Sequence, residues 1–263
     1  MISAPLPEVS AESDEDFQLD DAPIIEAVVD IDCDMPPDFN LAAMESAGTK
    51  RFGGAYPNLK KSFVQQHEIQ ARLNEPPQFS ATQALRALQF FSEDSLQLVQ
   101  VRSNGYSFNR LRPYSTFDDY LAELERTWRL FVELTAPVRV RRVALRYINR
   151  ILIPMQVGRI PLDQYLTLGP RLPEDDQLTY LGFLNQYAAV EPTTQNAITM
   201  TLTSQPIESG QLPVILDIEA RREIGAQPDN WKELCDVILS LRKLKNRVFK
   251  RTLSAECLNL FRK

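Results

Sequence analysis

Three arginines recur at every fourth position along one otherwise apolar stretch of the chain. Arg142, Arg146 and Arg150 lie in residues 138–154, VRVRRVALRYINRILIP, where the alternation of side chains predicts a β-strand. Alternate side chains of a strand point to opposite faces, so the three guanidinium groups are expected on one face. Guanidinium forks bind carboxylate or phosphate groups through paired hydrogen bonds. The stretch therefore contains a candidate site for an anionic ligand.

Two further features of this predicted strand concern its geometry. The alternation slips at Arg141 and Arg142, which indicates a β-bulge. Asn149 falls among the apolar residues on the face opposite the three arginines. We therefore expect Asn149 to be a buried hydrogen-bonding residue and not a member of the anion site, because buried polar groups need partners.

An acidic strand offers a structural alternative to the anion site. Residues 24–33 also alternate, and they place Glu26, Asp30 and Asp32 on one polar face. If this strand pairs with the arginine strand, acids and arginines would face each other across the ladder and hold the two halves of the chain together. A cavity lined by the arginines would favour ligand binding, whereas such charge pairs would favour a structural role.

The chain carries little that is typical of catalysis or of cofactor binding. No serine or cysteine nucleophile motif surrounds the single histidine, His67, which we expect on a strand facing the core. The 9 glycines form neither of the common phosphate-binding loops. Cys33, Cys235 and Cys257 lack zinc-site or disulfide spacing, with Cys235 expected buried and Cys257 more exposed. We expect no catalytic residue, no metal and no cofactor.

Charge is distributed very unevenly along the chain. Residues 1–40 hold 12 acidic residues and no basic ones, while the remainder holds 23 acidic and all 29 basic residues. Residues 1–22 are predicted to be an acidic disordered leader, with docking onto the basic body as the alternative. From Arg242 onward the chain is strongly basic, which favours a solvated helix end and, less strongly, contact with nucleic acid or an acidic partner. No secretory signal or membrane span is recognisable, so a cytoplasmic protein without membrane contact is expected.

The elements that must position these residues occur in the same order in two halves. Residues 23–137 and 138–263 each predict a strand, a short helix, three or four strands and a long helix. The long helices are predicted from residue 115 or 116 to about 134 and from 230 to about 253. The predicted fold class is α+β: internally duplicated β-α-β(3-4)-α halves form one antiparallel sheet saddle covered by the two long helices, in one compact unit.

Three segments resemble an uncharacterised, sporadically distributed prokaryotic protein family of about this length. They are APIIEAVVDIDCDMP at 22–36, LVQVRSNGYSFNRLRPY at 98–114 and VALRYINRILIP at 143–154. The resemblance implies fold and length and no particular chemistry. Sporadic distribution is typical of mobile genes, including phage-defence and toxin–antitoxin modules.

These observations predict a non-enzymatic protein-interaction or binding protein, in a toxin–antitoxin or phage-defence module, whose partner is another protein. The alternative is a sensor or enzyme that binds an anionic small molecule or nucleotide through Arg142, Arg146 and Arg150. Nucleic acid binding through the basic body is less favoured, because the overall pI is about 5.1.

Overall fold

The computed structural model describes residues 19–70, 78–155, 161–169 and 181–262. Most of the predicted acidic leader, residues 1–18, lies outside these ranges. The strands are β1 (Ile24–Asp34), β2 (Asn58–Gln70), β3 (Gln78–Phe91), β4 (Gln97–Arg102), β5 (Gly105–Leu111), β6 (Arg139–Pro154), β7 (Leu184–Glu191), β8 (Asn196–Ser204) and β9 (Gln211–Ala226). The helices are α1 (Met44–Phe52), α2 (Asp118–Thr135), α3 (Leu162–Tyr165), α4 (Trp231–Thr252) and α5 (Ala255–Asn259).

All these strands join one antiparallel sheet in the order β2-β3-β4-β5-β1-β6-β9-β8-β7. The predicted mixed α+β class with an antiparallel sheet is therefore confirmed. β1 and β6 are neighbours at the centre, so the sheet runs continuously from the first half of the sequence into the second. Outward from this centre the order is β5, β4, β3 on one side and β9, β8, β7 on the other.

The two long helices, α2 and α4, cover one face of the sheet. Period-two alternation directs Val143, Leu145 and Tyr147 of β6 to this face, where all three are buried. The helices meet the sheet through apolar side chains at helical spacing, and Trp128 of α2 packs against Tyr106 of β5 with ring centroids 5.5 Å apart. We call the opposite side of the sheet, which carries Asp32, Arg142 and Arg146, the open face.

The bulge predicted in the arginine strand is confirmed. The ladder between β6 and β9 shifts register between Val140 and Arg142, and the ladder between β1 and β6 shifts between Asp32 and Cys33. Beyond the shift the alternation is regular, so Arg142, Arg146 and Arg150 share the open face as predicted.

The first short helix begins later than the sequence suggested. The sequence predicts a short helix that Asn40 caps and that runs through Met44. Asn40 Oδ1 does accept the backbone N–H groups of Ala42 and Ala43, but these form a turn, and α1 starts only at Met44. The helix then continues through Gly48, a residue that disfavours helices. Gly48 is needed for close packing, since an added Cβ would lie 2.8 Å from Cζ of Phe90.

Strand β2 departs from the predicted alternation. Phe63 lies four residues before His67, so the alternation that points His67 to the core predicts the same for Phe63, yet Phe63 is 50% exposed. The ladder with β3 shifts register between Ser62 and Phe63, and a shift of one residue exchanges the two faces of a strand. His67 lies on β2 opposite Ala81, and its side chain falls outside the described part of the chain.

The predicted exposures of two cysteines were the wrong way round. Cys257 is fully buried, because α5 turns back against the core after Ser254 caps its first turn. Cys235 lies at the margin of the buried stripe of α4 and is half-buried. Burial raises the pKa of the Cys33 and Cys257 thiols to about 12, which makes both poor nucleophiles at neutral pH.

Candidate functional site

The first of the three candidate arginines is held in a buried charge cluster on the open face. Asp32, only 7% exposed, lies opposite Arg142 in the ladder between β1 and β6. Arg142 Nε donates to Asp32 Oδ2 at 2.8 Å, and Arg102 Nη2 donates to Asp32 Oδ1 at 2.8 Å. One carboxylate therefore joins strands β4, β1 and β6 through two guanidinium groups.

The other two arginines are paired with acids from the second half of the chain. Arg146 donates from Nε and Nη2 to the two carboxylate oxygens of Asp217, at 2.8 and 2.5 Å. Arg150 Nη2 donates to Glu208 Oε2 at 2.5 Å, and its Nε donates to Gln205 at 3.2 Å. All three candidate arginines thus have carboxylate partners within the protein.

The remaining acidic candidates bind polar groups on the other side of β1. Glu26 lies opposite Ile148 in the ladder and accepts a hydrogen bond from Asn109 Nδ2 at 2.6 Å. Asp30 accepts a hydrogen bond from Ser107 Oγ and lies 3.6 Å from Arg102. Among Glu26, Asp30 and Asp32, the cross-strand partner of a candidate arginine is therefore Asp32 alone.

A cavity of about 410 Å³ opens on the helix-covered side of the same central strand. It lies between the start of β1, the segment that precedes α2, strand β6 and helix α4. Its chemistry-bearing and aromatic lining residues are Tyr114, Phe117, Asp118, Tyr147, Asn149, Arg242, Lys245, Asn246 and Phe249. The cavity has a volume in the range of small-molecule sites, and its wall combines aromatic rings with polar groups.

Lys245 is the buried cation of this cavity. Lys245 is 7% exposed, and its Nζ lies 3.8 Å from the centroid of the Tyr147 ring. Within the described ranges no carboxylate forms an ion pair with it. Burial, reinforced by the positive charge of Arg242, lowers the pKa of Lys245 to about 7. At neutral pH the amine is therefore divided between its charged and neutral forms.

Arg242 lies three residues earlier on α4, so its side chain shares a helix face with Lys245. Its guanidinium carbon lies 4.9 Å from the centroid of the Phe117 ring. Arg242 Nη1 and Nη2 also donate to the two carboxylate oxygens of Asp118, at 3.2 and 3.5 Å, and the Asp118 side chain is 68% exposed. Because that carboxylate is largely in water, it neutralises Arg242 only weakly, and the cavity keeps a positive character.

Three tyrosine hydroxyls meet at one wall of the cavity. The Tyr147 oxygen lies 3.0 Å from both the Tyr114 and Tyr120 oxygens, which are 3.3 Å apart. A triangle of this kind can satisfy three O–H donors in a ring and leaves lone pairs facing outward. Burial raises the pKa of all three phenols, so they remain neutral at physiological pH.

Asn149 is buried and hydrogen-bonded, as the strand pattern predicted. Its Nδ2 donates to the Leu216 carbonyl at 2.9 Å, while its Oδ1 accepts no hydrogen bond from the described part of the chain. Since Asn149 lines the cavity, this oxygen is available to a donor on a ligand. The residue excluded from the predicted anion site thus belongs to the cavity.

Sequence reasoning placed Lys245 in a solvated basic helix end and missed the cavity. One signal could have identified it. Lys245 occupies the helical stripe that also contains Ile238, Leu241 and Thr252, all of them buried. A charged residue at a core position of a helix is expected to be either paired or functional.

Other kinds of site find no support in the described residues. Within those ranges, no three His, Cys, Asp or Glu side chains cluster in a way that could hold a metal ion. Nor does any described helix combine the length and apolar character needed to cross a membrane. No protein-family model matches the chain, and a search of curated proteins finds no match.

Proposed function

We propose that the protein is a non-enzymatic binding protein, of the sensor kind, that holds a small anionic molecule in the cavity beside Lys245. The observation that carries this proposal is a buried ammonium group, for which the described residues supply no carboxylate partner, at the wall of a cavity large enough for a ligand. Burial of an unpaired charge is unfavourable, and a bound anion would supply the missing partner.

The lining of the cavity limits the shape of the ligand. Aromatic rings of Tyr114, Phe117, Tyr147 and Phe249 form much of the wall. Lys245 and Arg242 supply positive charge from one helix face, and Asn149 offers a hydrogen-bond acceptor opposite them. A small carboxylate or phosphate with an apolar or planar portion fits this arrangement best.

The ligand is anionic, as in the alternative drawn from the sequence, but its site is the cavity beside Lys245 and not the open face. The arginines first considered, Arg142, Arg146 and Arg150, already engage carboxylates of the protein. A ligand on the open face would have to displace those carboxylates. Beside Lys245, a ligand displaces no ion pair that the described residues form with Lys245, and at Arg242 it exchanges with the Asp118 carboxylate, which is 68% exposed.

Thermal unfolding in the presence of small anions tests this proposal, because a bound ligand stabilises the folded protein. We expect benzoate, 2-oxoglutarate or inorganic phosphate to raise the Tm of the wild-type protein in a concentration-dependent way. The Lys245→Met variant should lose the shift, and Lys232→Met, which changes an exposed lysine of the same helix, should retain it. Equal shifts in both variants, or none in the wild type, would contradict the proposal.

A protein-interaction function is the second candidate, favoured by strand β7. Among the strands that the structure describes, β7 pairs with β8 alone and lies at the edge of the sheet. Its Leu184, Tyr187 and Val190 are 70%, 40% and 57% exposed. An exposed apolar edge strand can accept a strand from a partner protein, which agrees with a place in a defence or toxin–antitoxin module.

Purification from the native host followed by mass spectrometry tests this second candidate. A protein partner of the β7 edge should copurify with the wild type and be lost with Val190→Lys. The matched control is Val138→Lys, because Val138 is 58% exposed and lies away from β7. A partner retained by both variants would argue against binding at this edge.

We further propose that the two halves of the chain arose by duplication, that the sheet curves as a saddle, and that the chain belongs to the uncharacterised prokaryotic family it resembles. The matching element order supports the duplication: β1, β5, β4 and β3 on one side of the sheet centre correspond to β6, β9, β8 and β7 on the other. Long helices α2 and α4 close the two halves in equivalent places.

A further inference from the structure

The cavity holds a reactive group as well as a cation. Lys245 is 7% exposed, lines the cavity and packs its Nζ over the Tyr147 ring. An amine in such surroundings loses much of the hydration that stabilises its charged form. Because its pKa is lowered to about 7, a substantial fraction of the amine is neutral at neutral pH and carries a nucleophilic lone pair.

The charged and titratable neighbours of Lys245 favour this neutral form. Arg242 on the same helix face opposes a second positive charge, and the phenols of Tyr147 and Tyr114 remain uncharged. The Asp118 carboxylate at the cavity pairs with Arg242 and is 68% exposed. The cavity thus presents one guanidinium, which can bind an anion, beside one partly neutral amine, which can act as a nucleophile.

We propose that Lys245 captures the carbonyl carbon of a 2-oxo acid, or of another carboxylate-bearing aldehyde or ketone, as an imine while Arg242 binds the carboxylate. This inference rests on the proposed function and names the chemical class of its ligand. A 2-oxo acid carries the anion and the electrophile on adjacent carbons, and Arg242 and Lys245 lie on one helix face at the same cavity.

The reaction needs only the amine and the carbonyl compound. The Lys245 nitrogen forms a bond to the carbonyl carbon, and the carbonyl oxygen takes up a proton. The nitrogen of the resulting carbinolamine gives up both of its protons: one offsets the proton taken up by the oxygen, and the other joins the hydroxyl group, which leaves as water as the C–O bond breaks and a C=N bond forms. The amine and the carbonyl compound thus give an imine and water, without an oxidant or reductant.

Reductive trapping on the full chain tests this inference. Glyoxylate with cyanoborohydride at neutral pH would convert an imine at Lys245 into a stable carboxymethyl group, which peptide mass mapping locates. We expect Lys245 to be labelled roughly tenfold faster than Lys232, the exposed lysine on the same helix. Acetaldehyde, which lacks the carboxylate, should label Lys245 less, and Arg242→Gln should lower glyoxylate labelling toward that of acetaldehyde.

The outcomes separate the imine from simple anion binding. Equal labelling of Lys245 and Lys232, or no label on Lys245, overturns the imine proposal. Lys245→Arg keeps a cation and removes the amine, so stabilisation of both wild type and Lys245→Arg by glyoxylate alone would show anion binding even where no adduct forms. If glyoxylate and the other anions stabilise neither protein and no adduct forms, the proposed function is overturned as well.

Discussion

Positive charges are paired with carboxylates on one side of strand β6 and packed against an aromatic ring on the other. On the open face, Arg142 and Arg146 pair with Asp32 and Asp217, although both arginine side chains retain partial access to water. On the helix-covered side, Lys245 is more deeply buried and packs against an aromatic ring. Paired charges are explained by the fold itself. A buried cation that finds no carboxylate among the described residues opposes folding, and such costs are concentrated at functional sites.

The largest expected effect is the loss of stability when the paired charges of the open face lose their shared carboxylate. Replacement of Asp32 by Ala leaves Arg102 and Arg142 without their shared carboxylate in a nearly buried position. We expect the free energy of unfolding to fall by about 3 to 5 kcal/mol, as for other buried ion pairs that lose one partner. Urea denaturation monitored by circular dichroism measures this loss.

A neighbouring aspartate provides the control. Asp34 also pairs with arginines, Arg139 and Arg141, but the side chains in these pairs are 39 to 54% exposed. Asp34→Ala should therefore cost no more than about 1 kcal/mol. Similar losses for the two aspartate variants would show that burial does not distinguish these pairs.

The second expected effect is a gain in stability, and it tests the buried cation on the helix-covered side. Lys245→Met removes the buried amine and keeps an unbranched apolar chain, so we expect it to stabilise the protein by roughly 3 kcal/mol at neutral pH. Lys232→Met, at an exposed position of the same helix, should change stability by no more than about 0.5 kcal/mol. A destabilised Lys245→Met variant would contradict the view that the cation opposes folding.

The pH dependence of that gain follows from the lowered pKa of Lys245. Its pKa is about 7 in the folded protein and 10.5 ordinarily, so the unfolded chain binds more protons between these values. Wild-type stability should therefore rise between about pH 7 and pH 10, and the advantage of Lys245→Met should shrink over the same interval. Urea titrations across that range measure both trends, and a constant advantage would be inconsistent with an ionising Lys245.

Above about pH 10 a second group of residues reverses the trend. Burial raises the pKa of Tyr56, Tyr106, Tyr114, Tyr120 and Tyr147 above the ordinary value of 10. Their contribution to stability is complete below that value and is lost as the pH rises beyond it, because the unfolded chain releases these protons first. Wild-type stability should thus pass through a maximum near pH 10.

Local patterns in the sequence were sufficient to predict most of the fold. Period-two alternation placed the arginines of β6 on one face and Asn149 on the other, because that period is a property of any extended backbone. Helical spacing likewise located α2 and α4 closely. Errors arose where packing overrode local preference, as at Gly48, which the close approach of Phe90 retains inside a helix.

The site could not be predicted in the same way, since it depends on which elements become neighbours. Asp217 is available to Arg146 only because β9 lies beside β6, a pairing that no local pattern specifies. Lys245 and Tyr147 meet because α4 packs across β6, although they are far apart in sequence. The apolar stripe of α4 marked Lys245 as unusual, but its ring partner and the cavity exist only in the assembled structure.

A smaller loss of stability is expected for the second ion pair of the open face, Arg146 with Asp217. The Arg146 side chain is 42% exposed and that of Asp217 is 20% exposed. Because water screens this pair, Arg146→Met should cost about 1 kcal/mol, well below the loss from Asp32→Ala. The cost should diminish further in high salt, which screens partly exposed pairs most strongly. Urea denaturation at low and high ionic strength measures the difference, and a loss comparable to that of Asp32→Ala would place Arg146 in the buried network.

The smallest effect concerns which side of α4 faces the solvent. Cys235 of α4 is half-buried, whereas Cys33 and Cys257 are buried beneath the helices. We therefore expect an uncharged thiol reagent to modify one cysteine of the native protein quickly and the other two only after unfolding. Cys235→Ser should abolish the fast phase and change stability by about 1 kcal/mol at most. A fast phase that survives in Cys235→Ser would mean that Cys33 on β1 or Cys257 on α5 is accessible in the native protein, contrary to the packing described above.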